Sequence, residues 1–408
     1  MAESRRALVL YGGVSPEREV SLVSGRECAA ALKRLGWEVA LYDWRGDGDD
    51  FRARAAGARF VFNALHGGDG ENGDLARRFE DVLFTHSPPG ASALAMDKVQ
   101  TREFAVSIGL SVPPGEIATC AEVRSGFEPF ARPFVVKPIA GGSSIGVCIV
   151  GGGGDVSAME CGDDDDLLVE VFIPGRELTV SVLDGRALAV TELRSRTAFY
   201  DYEAKYSSGV TEHLVPAPVP EGVYRAAMEA AERMHEVLGC RGVSRSDFRW
   251  DEGGVVDGVV LYLLEVNTQP GMTPTSLVPE QALFCGMDFD ALVARIVDSA
   301  LSANSSNSDT MKAPLKKSND ADTSGAPVSL SSPSSSVTAP VKECDGDNKG
   351  GRVSLSSLSL SDNSLVKKSD MDNKRARCSS SSSLSVNSPV KKSNGDALSA
   401  PFSVGVAS

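Results

Sequence analysis

Two short strand-like segments with polar residues two positions apart constrain this chain more than any other feature. An apolar run over residues 259–264 ends in Glu265-Val266-Asn267, and Arg245 and Asp247 show the same spacing upstream. Side chains at positions i and i+2 of a strand point to one face of its sheet. Each segment is therefore predicted to be a strand that presents a polar pair on one face.

Two acids with an amide and an arginine beside them form a specific chemical set. Carboxylate and amide oxygens bind hard divalent cations, and the arginine offers a positive charge to an anion. This combination is typical of a magnesium–nucleotide site. The alternative is two half-exposed strands whose polar residues merely face water, and the lysines described below favour the nucleotide site.

Composition divides the 408-residue chain near Ser302. Beyond that residue, serine makes up more than a quarter of the sequence and Phe402 is the only aromatic residue. Such a segment buries too little apolar surface to offset its conformational entropy, which predicts disorder. Lys-Lys-Ser units recur in it, as at Lys316 and Lys367. A solenoid is the alternative, but each unit lacks the apolar residues needed for stacking.

Charge indicates the class of ligand. The whole chain carries a formal charge of −14, and the tail contains 13 Lys+Arg against 10 Asp+Glu, which leaves −17 for the preceding part. An acidic body argues against nucleic-acid binding. It is compatible with a small anion held by a few well-placed lysines.

The eight cysteines are scattered without a CxxC pair. This pattern argues against a zinc module and is typical of reduced cysteines in a reducing compartment. No apolar stretch is long enough for a membrane span, and the first residues lack a signal-peptide core. We therefore expect a soluble, cytoplasmic protein with no membrane partner.

Elements alternate along the first 300 residues. Strands are predicted at residues 7–11, 37–42 and 59–65, with a helix capped by Ser15 that begins at Pro16 and ends near Leu35, which indicates a βαβ unit. Next, a strand ending in Lys137 leads into the small-residue loop Gly141 to Gly146 and a second strand. Backbone N–H groups of such a loop can surround phosphate oxygens. A plain glycine-rich hairpin turn is the alternative.

The third part contains the two polar strands and a closing helix. A helix is predicted at residues 224–238, and Phe289 to Leu301 shows the i, i+3/i+4 apolar spacing of a second helix. A long polar, aromatic segment from Phe199 to Tyr206 precedes the first of these two helices. Loops of that length in a compact fold usually serve a function.

Seven motifs, taken together and in order, resemble the D-alanine–D-alanine ligase family of the ATP-grasp superfamily. The resemblance covers residues 7–302. The motifs are Gly12-Gly13 with Ser15 to Ser21, Ala64-Leu65-His66-Gly67, Met96-Asp97-Lys98, Val136-Lys137-Pro138 with Gly142-Ser143-Ser144, Phe199 to Tyr206, Gly242 with Arg245-Ser246-Asp247, and Leu264 to Thr268 with Pro270-Gly271-Met272.

The resemblance implies an α/β fold with an α+β central unit, namely a three-domain ATP-grasp fold with a Rossmann-like N-terminal domain. The expected divisions are 1–97 for a substrate domain, 98–173 for a central lid domain, 174–302 for a catalytic domain, and 303–408 for the disordered tail. A homodimer is expected as well.

The implied reaction joins two D-alanine molecules at the cost of ATP, and its product is a peptidoglycan precursor. ATP phosphorylates the carboxylate of the first D-alanine, and the amine of the second attacks the acyl phosphate. The expected cofactors are ATP and two Mg²⁺ ions, for which Mn²⁺ can substitute.

The resemblance also implies a role for each motif residue. ATP is expected to contact Lys98, Lys137, Ser144, Glu170, Glu177 and Lys205, with Glu170 at the adenine hinge. The metal ligands are expected to be Asp247, Glu265 and Asn267. Arg245 and the N–H of Gly271 would stabilise the tetrahedral intermediate. The first D-alanine would meet Glu17 and His66, and the carboxylate of the second would meet Ser276 and Leu277. Ser143 and Tyr206 would bond with Glu17 and close the site.

One departure concerns adenine. Val171 follows Glu170 where several family members have a basic residue, so polar recognition of the base lacks its usual cation. The alternatives are another ATP-grasp carboxylate–amine ligase, a D-alanine–D-lactate ligase, or a non-catalytic nucleotide-binding protein. The last of these would be expected to lose Arg245 or a metal-binding acid, and neither is missing.

Overall fold

The structure is a computed structural model that describes residues 5–195, 211–253 and 260–312. All of them lie in one compact unit by their internal contacts. Within these ranges, no helix is long and apolar enough to cross a bilayer. The division at residues 97, 173 and 302 stays a prediction. The described chain forms three sheets.

The first sheet is parallel and has three strands in the order β2-β1-β3. These are β1 (Arg6–Gly12), β2 (Glu38–Trp44) and β3 (Phe60–Asn63). Helices α1 (Arg18–Arg34), α2 (Gly48–Ala55) and α3 (Asp74–Arg78) lie in the same part of the chain, and Gly68–Gly70 forms a 3-10 turn. The predicted βαβ arrangement is therefore confirmed.

The second sheet is antiparallel and has four strands in the order β4-β7-β5-β6. Helices α4 (Pro89–Met96) and α5 (Lys98–Ser107) precede it in the sequence. The sheet comprises β4 (Gly115–Thr119), β5 (Phe134–Pro138), β6 (Cys148–Val150) and β7 (Asp166–Val171), with helix α6 (Cys120–Arg124) and a 3-10 turn at Val156–Ala158. Because β5 pairs with β6, the predicted hairpin with a small-residue tip is confirmed.

The third sheet is antiparallel and has five strands in the order β10-β9-β8-β11-β12. They are β8 (Arg176–Leu183), β9 (Arg186–Ser195), β10 (Thr211–Leu214), β11 (Val243–Trp250) and β12 (Leu261–Asn267). Helix α7 (Glu221–Val237) precedes β11, and α8 (Leu277–Phe284) and α9 (Phe289–Lys312) follow β12. Both predicted polar strands are present.

The cores show which elements are held together. Val9, Leu32 and Phe62 of the first sheet and α1 pack in one core with Val293 and Ile296 of α9. A second core joins the five-stranded sheet to α7 and α5, and a separate core lies within the four-stranded sheet. The N-terminal sheet and the last helix therefore form one packed block.

The predicted helix start at Pro16 is wrong by two residues, because helix α1 begins at Arg18 with Glu17 in the N-cap position. The Ser15 hydroxyl accepts a hydrogen bond from the N–H of Glu17 at 3.3 Å, and it also donates to the carbonyl of His66 at 2.6 Å. This hydroxyl therefore ties two loops together, a tertiary use that local sequence preference does not reveal.

The last helix is longer than its apolar pattern indicates. It continues to Lys312, whereas the prediction ended it at Leu301 and placed a disordered tail from residue 303. Residues 302–312 contain neither glycine nor proline, and Pro314 is the first residue that forbids further helix. The end of the apolar stripe marks the end of packing rather than the end of the helix.

The expectation that every cysteine is reduced is wrong for one pair. Cys120 and Cys161 form a disulfide, whereas Cys28, Cys148, Cys240 and Cys285 are free. The pair joins the start of α6 to the segment before β7, across a sequence separation of 41 residues. Only the packing of α6 on that segment brings the two residues together.

Candidate active site

The register of β11 against β12 places the two polar pairs opposite each other. Arg245 pairs with Asn267, and Asp247 pairs with Glu265. Since each pair has an i, i+2 spacing, all four side chains emerge on one face of the five-stranded sheet. Two carboxylates, one amide and one guanidinium thus meet at neighbouring positions.

Asp247 is the most heavily bonded member of this group. Its carboxylate accepts a hydrogen bond from the hydroxyl of Thr179 at 2.6 Å and two from the Arg245 guanidinium at 2.9 and 2.8 Å. The side chain of Asn267 accepts from the backbone N–H of Gln269 at 2.7 Å. These bonds fix the orientation of both oxygen donors.

The donor set suits a hard cation. Asp247, Glu265 and Asn267 supply oxygen atoms only, which Mg²⁺ prefers over nitrogen or sulfur. Within the described ranges, no group of three or more His, Cys, Asp or Glu side chains could hold a metal ion by itself. A site with two carboxylates fits Mg²⁺, because this ion usually keeps several waters and shares its remaining positions with phosphate oxygens.

Two buried lysines lie beside the acids. Lys137 ends strand β5, and Lys98 begins helix α5, which Asp97 caps by accepting from two backbone N–H groups. The Lys98 ammonium donates to the carbonyl of Gly141 in the hairpin tip at 2.6 Å. Burial lowers the pKa of Lys98, and the carboxylate of Glu265 opposes that shift. The two cations form the positive wall of the cleft.

The hairpin tip supplies backbone groups to the same cleft. Ser143 and Ser144 have φ angles of 52° and 58°, in the left-handed region that non-glycine residues seldom adopt. Consecutive residues in this conformation turn the backbone tightly and can point N–H groups to one side. Gly141, Gly142 and Ser144 line the cleft together with both lysines.

Glu170 lines the first cleft, and its expected role at the adenine stays a prediction. Its carboxylate lies 2.5 Å from the Lys137 ammonium and also accepts from Arg102 of α5. The side chain is buried between these two cations. Its contacts therefore orient Lys137, and Arg102 is a partner that the sequence analysis missed.

The other end of the cleft is apolar. Its lining includes Val135, Val147, Val171, Phe172, Ile173 and Leu264, and the charged residues Glu177 and Arg249 also line the cleft. A slot with apolar walls next to a cationic end matches a flat aromatic base joined to phosphates. The polarity of the cleft thus changes along its length.

A second, more polar cleft meets the first at Asp247, and Arg245 lines the second cleft beside it. Glu17 lies in it, buried at the start of α1, and accepts a hydrogen bond from the hydroxyl of Ser143. The ring of His66 bonds the carbonyl of Gln269 at 3.2 Å and the Ser24 hydroxyl at 3.0 Å. Burial lowers the pKa of His66 to about 4, so the ring is neutral at pH 7.

The far wall of the second cleft is the turn before α8. Ser276 occupies the N-cap position of α8, Leu277 is the first helical residue, and Gly271 lies beside them. A Cβ atom on Gly271 would lie 2.8 Å from the Ser276 hydroxyl, so any larger residue would displace it. The positive end of the helix dipole at this wall favours an anionic group.

Glu71 is a site residue that the sequence analysis missed. It is buried and lines the second cleft, and its carboxylate accepts from the N–H of Gly67 at 2.8 Å. Burial, and next the charge of Glu17, raise the pKa of Glu71 to about 8. An acid within a glycine-rich loop five residues after His66 was the available signal. His213, bonded to Glu280 at 3.1 Å, also lines the second cleft.

The predicted site residues thus fall into three groups. Two of them, Lys205 and Tyr206, lie outside the described ranges. The predicted ATP-binding residues of the described ranges line the first cleft together with Asp247 and Glu265, whereas Asn267 and the remaining residues line the second. The members that the described structure brings to these clefts are Glu17, His66, Lys98, Lys137, Ser143, Ser144, Glu170, Glu177, Arg245, Asp247, Glu265, Asn267, Gly271, Ser276 and Leu277.

Comparison with known proteins identifies the family. The model described as D-ala D-ala ligase C-terminus matches residues 115–298. The D-alanine–D-alanine ligase of Granulibacter bethesdensis is 46% identical over 302 residues, which span 72% of this chain and 98% of the relative. That of Sphingopyxis alaskensis is 48% identical over 302 residues, 72% of this chain and 97% of the relative.

Solved structures agree with the sequence relatives. The crystal structure of D-alanine–D-alanine ligase from Bacillus anthracis complexed with ATP is 29% identical, with a TM-score of 0.61, and the match covers 75% of this chain and all of that one. A second structure of that enzyme is 30% identical, with a TM-score of 0.62, and covers 74% of this chain and 99% of that one. The chain belongs to the D-alanine–D-alanine ligase family.

Proposed function

We propose that this protein joins two D-alanine molecules in an ATP-dependent reaction that yields D-alanyl-D-alanine for peptidoglycan synthesis. The observation that carries the proposal is the junction of two clefts at Asp247, to which Arg245 donates hydrogen bonds. One cleft has two buried lysines and an apolar slot, and the other contains buried carboxyl groups and a helix N-terminus. A nucleotide and an amino acid would meet where the acids of β11 and β12 lie.

In the first cleft, Lys98 and Lys137 would neutralise phosphate oxygens, with the N–H groups of the hairpin tip around them. Asp247, Glu265 and Asn267 would hold Mg²⁺, or Mn²⁺ in its place, which supplies charge neutralisation during phosphoryl transfer. Lys205, Ser144 and Glu177 are proposed as further nucleotide contacts. The Glu170 side chain would act by holding Lys137 in place.

In the second cleft, Glu17 would bind the ammonium group of the first D-alanine, with neutral His66 as a hydrogen-bonding partner nearby. Ser276 and Leu277 at the start of α8 would receive the carboxylate of the second D-alanine. Arg245 and the N–H of Gly271 would stabilise the oxyanion of the tetrahedral intermediate. Ser143, and by resemblance Tyr206, would close the site and exclude water from the acyl phosphate.

The decisive experiment is a phosphate-release assay with ATP, Mg²⁺ and D-alanine, run in parallel with L-alanine and D-lactate. We expect release with D-alanine and the dipeptide as product. D-Lactate-dependent release in its place would favour the depsipeptide-forming alternative. ATP turnover that no form of alanine stimulates would contradict the proposal. We also propose the three-domain division and a homodimer, and size-exclusion chromatography with light scattering tests the homodimer.

A further inference from the structure

The apolar slot of the first cleft contains one arginine to which the resemblance assigns no role. Arg249 lies on β11 two positions after Asp247, so both side chains are on the same face of the sheet. Its side chain is only 15% exposed and lines the cleft with Val171, Phe172 and Ile173. A buried guanidinium in a slot with apolar walls calls for an explanation, because desolvating a charge is costly.

The segment between the second and third sheets holds this arginine in place. The Arg249 Cζ atom lies 5.7 Å from the centroid of the Phe172 ring. One of its N–H groups donates to the carbonyl of Gly175 at 2.9 Å, and its Nε atom lies 3.9 Å from the Glu177 carboxylate. These contacts fix the orientation of the planar guanidinium.

Arg249 supplies a cation in the cleft where Val171 lacks one. The resemblance expects a basic residue beside the adenine, and Val171 leaves that part of the slot without one. Three cations are among the described residues that line the first cleft: Lys98 bonds the hairpin tip, Lys137 bonds Glu170, and Arg249 lies against the ring of Phe172. A guanidinium stacks well on a flat π-system, and it can do so on both of its faces.

We infer that Arg249 is a nucleotide-binding residue that packs its guanidinium against the purine base, with Phe172 on its other face, and so replaces the cation missing at position 171. The inference rests on the proposed function for the identity of the nucleotide. It differs from a phosphate-binding role, because Arg249 lies against the ring of Phe172, whereas Lys98 bonds the hairpin tip. It therefore predicts an effect that depends on the base.

The test compares two ligands that share phosphates but differ in the base. Arg249→Met keeps much of the side chain's length and removes its charge and planarity. The Kd of ATP for this variant should rise roughly 3- to 30-fold, the range expected for one cation–π contact. The affinity for inorganic tripolyphosphate, which has no base, should change less than twofold. Both affinities are measured by calorimetry on the full chain without D-alanine.

Two further variants sharpen the result. Arg54→Met removes an exposed arginine of α2 and is the matched control, which should leave both affinities unchanged. Val171→Lys added to Arg249→Met should recover most of the lost ATP affinity, and a failure to do so would overturn the claimed replacement. Equal loss of ATP and tripolyphosphate, or no loss of either in a variant that keeps the wild-type melting temperature, would overturn the stacking role.

These outcomes are separable from failure of the proposed function. Binding of ATP in the absence of D-alanine does not depend on turnover. If the wild-type chain binds ATP but shows no D-alanine-dependent phosphate release, the ligase assignment fails while the role of Arg249 remains testable. With an active enzyme, Arg249→Met should raise the KM for ATP and leave the KM for D-alanine within twofold of wild type.

Discussion

The hydroxyl of Ser143 donates a hydrogen bond to the carboxylate of Glu17, across 126 residues of sequence. This bond joins the tip of the β5–β6 hairpin to the start of α1, and so connects the two clefts. Hydrogen bonds to charged groups contribute about 1.5–3 kcal/mol. Ser143 also adopts a left-handed conformation, which places its side chain at this position.

Ser143→Ala should therefore lower kcat by roughly 10- to 100-fold, since the same energy would be lost from the closed, reactive state. The melting temperature should remain close to that of the wild type because the hairpin tip contributes little to any core. Steady-state phosphate release and differential scanning fluorimetry measure the two effects. Ser107→Ala, on the exposed end of α5, is the control, and equal kcat values for the two variants would contradict the prediction.

Glu265 should be essential because its carboxylate faces that of Asp247 in the strand register. Glu265→Gln keeps the size of the side chain but removes the charge that a divalent cation requires. We expect turnover to fall by several orders of magnitude and the Mg²⁺ concentration for half-maximal activity to rise. Glu116→Gln on exposed β4 serves as the control. Wild-type turnover in Glu265→Gln would refute the metal assignment.

Glu71 should make stability depend on pH. Its pKa in the folded protein is raised to about 8, chiefly by burial and next by the charge of Glu17. The N–H of Gly67 and the charge of Arg245 lower this pKa, and the charge of Glu265 raises it. An acid with a higher pKa when folded binds its proton more tightly in that state. The free energy of unfolding therefore falls as the pH rises from about 4.5 to about 8.

Glu71→Gln cannot titrate, so its melting temperature should fall less than that of the wild type between pH 5 and pH 8.5. The difference should amount to several degrees in thermal scans over this range. Glu80→Gln removes an exposed acid near α3 and should follow the wild-type curve. Parallel curves for the wild type and Glu71→Gln would show that Glu71 is already ionised at low pH.

The two polar strands illustrate how much the sequence could predict. Strand periodicity alone places Arg245 with Asp247, and Glu265 with Asn267, on one face each. It does not reveal that the two pairs meet in register, because that depends on the pairing of β11 with β12. The resemblance, which rests on the order of the motifs, implied that Asp247, Glu265 and Asn267 lie together.

Other features depend on tertiary contacts that no local pattern encodes. The Ser15 hydroxyl accepts from the N–H of Glu17, as its residue type suggests, but it also donates to the carbonyl of His66 in another loop. Glu71 looks like an exposed loop acid, and only packing against Glu17 and Gly67 reveals it as a buried site residue. The pairing of Cys120 with Cys161 likewise follows from the docking of α6.

Choice of the second substrate should depend on Tyr206, which lies outside the described residues. By resemblance its phenol bonds Ser143 and shapes the second cleft, and relatives that use D-lactate tend to have Phe in this loop. We expect the wild type to form dipeptide and Tyr206→Phe to gain some depsipeptide formation. Mass spectrometry of products from equal D-alanine and D-lactate distinguishes them. A wild type that prefers D-lactate at neutral pH would refute this specificity.

Truncation should be tolerated after Lys312. Helix α9 buries Leu292, Val293, Ile296, Val297 and Ala300, whereas Ser302 and the two residues after Ala303 are exposed. A chain ending at Lys312 should keep its melting temperature and its KM values for ATP and D-alanine. Ile296→Ala in the same chain is the contrasting variant and should lose about 2–5 kcal/mol of unfolding free energy. Loss of activity on truncation would assign the removed residues a role in the enzyme.

The block formed by the first sheet and the last helix has a consequence for protein synthesis. Strand β1 and helix α1 leave the ribosome early, but the apolar face of α9 that covers them is encoded nearly 300 residues later. At translation speeds of about 5–20 residues per second, the N-terminal core waits for roughly 15–60 s with that surface uncovered. We therefore expect the nascent chain to expose this apolar surface to chaperones until α9 emerges, and slow codons before Phe289 would prolong that exposure.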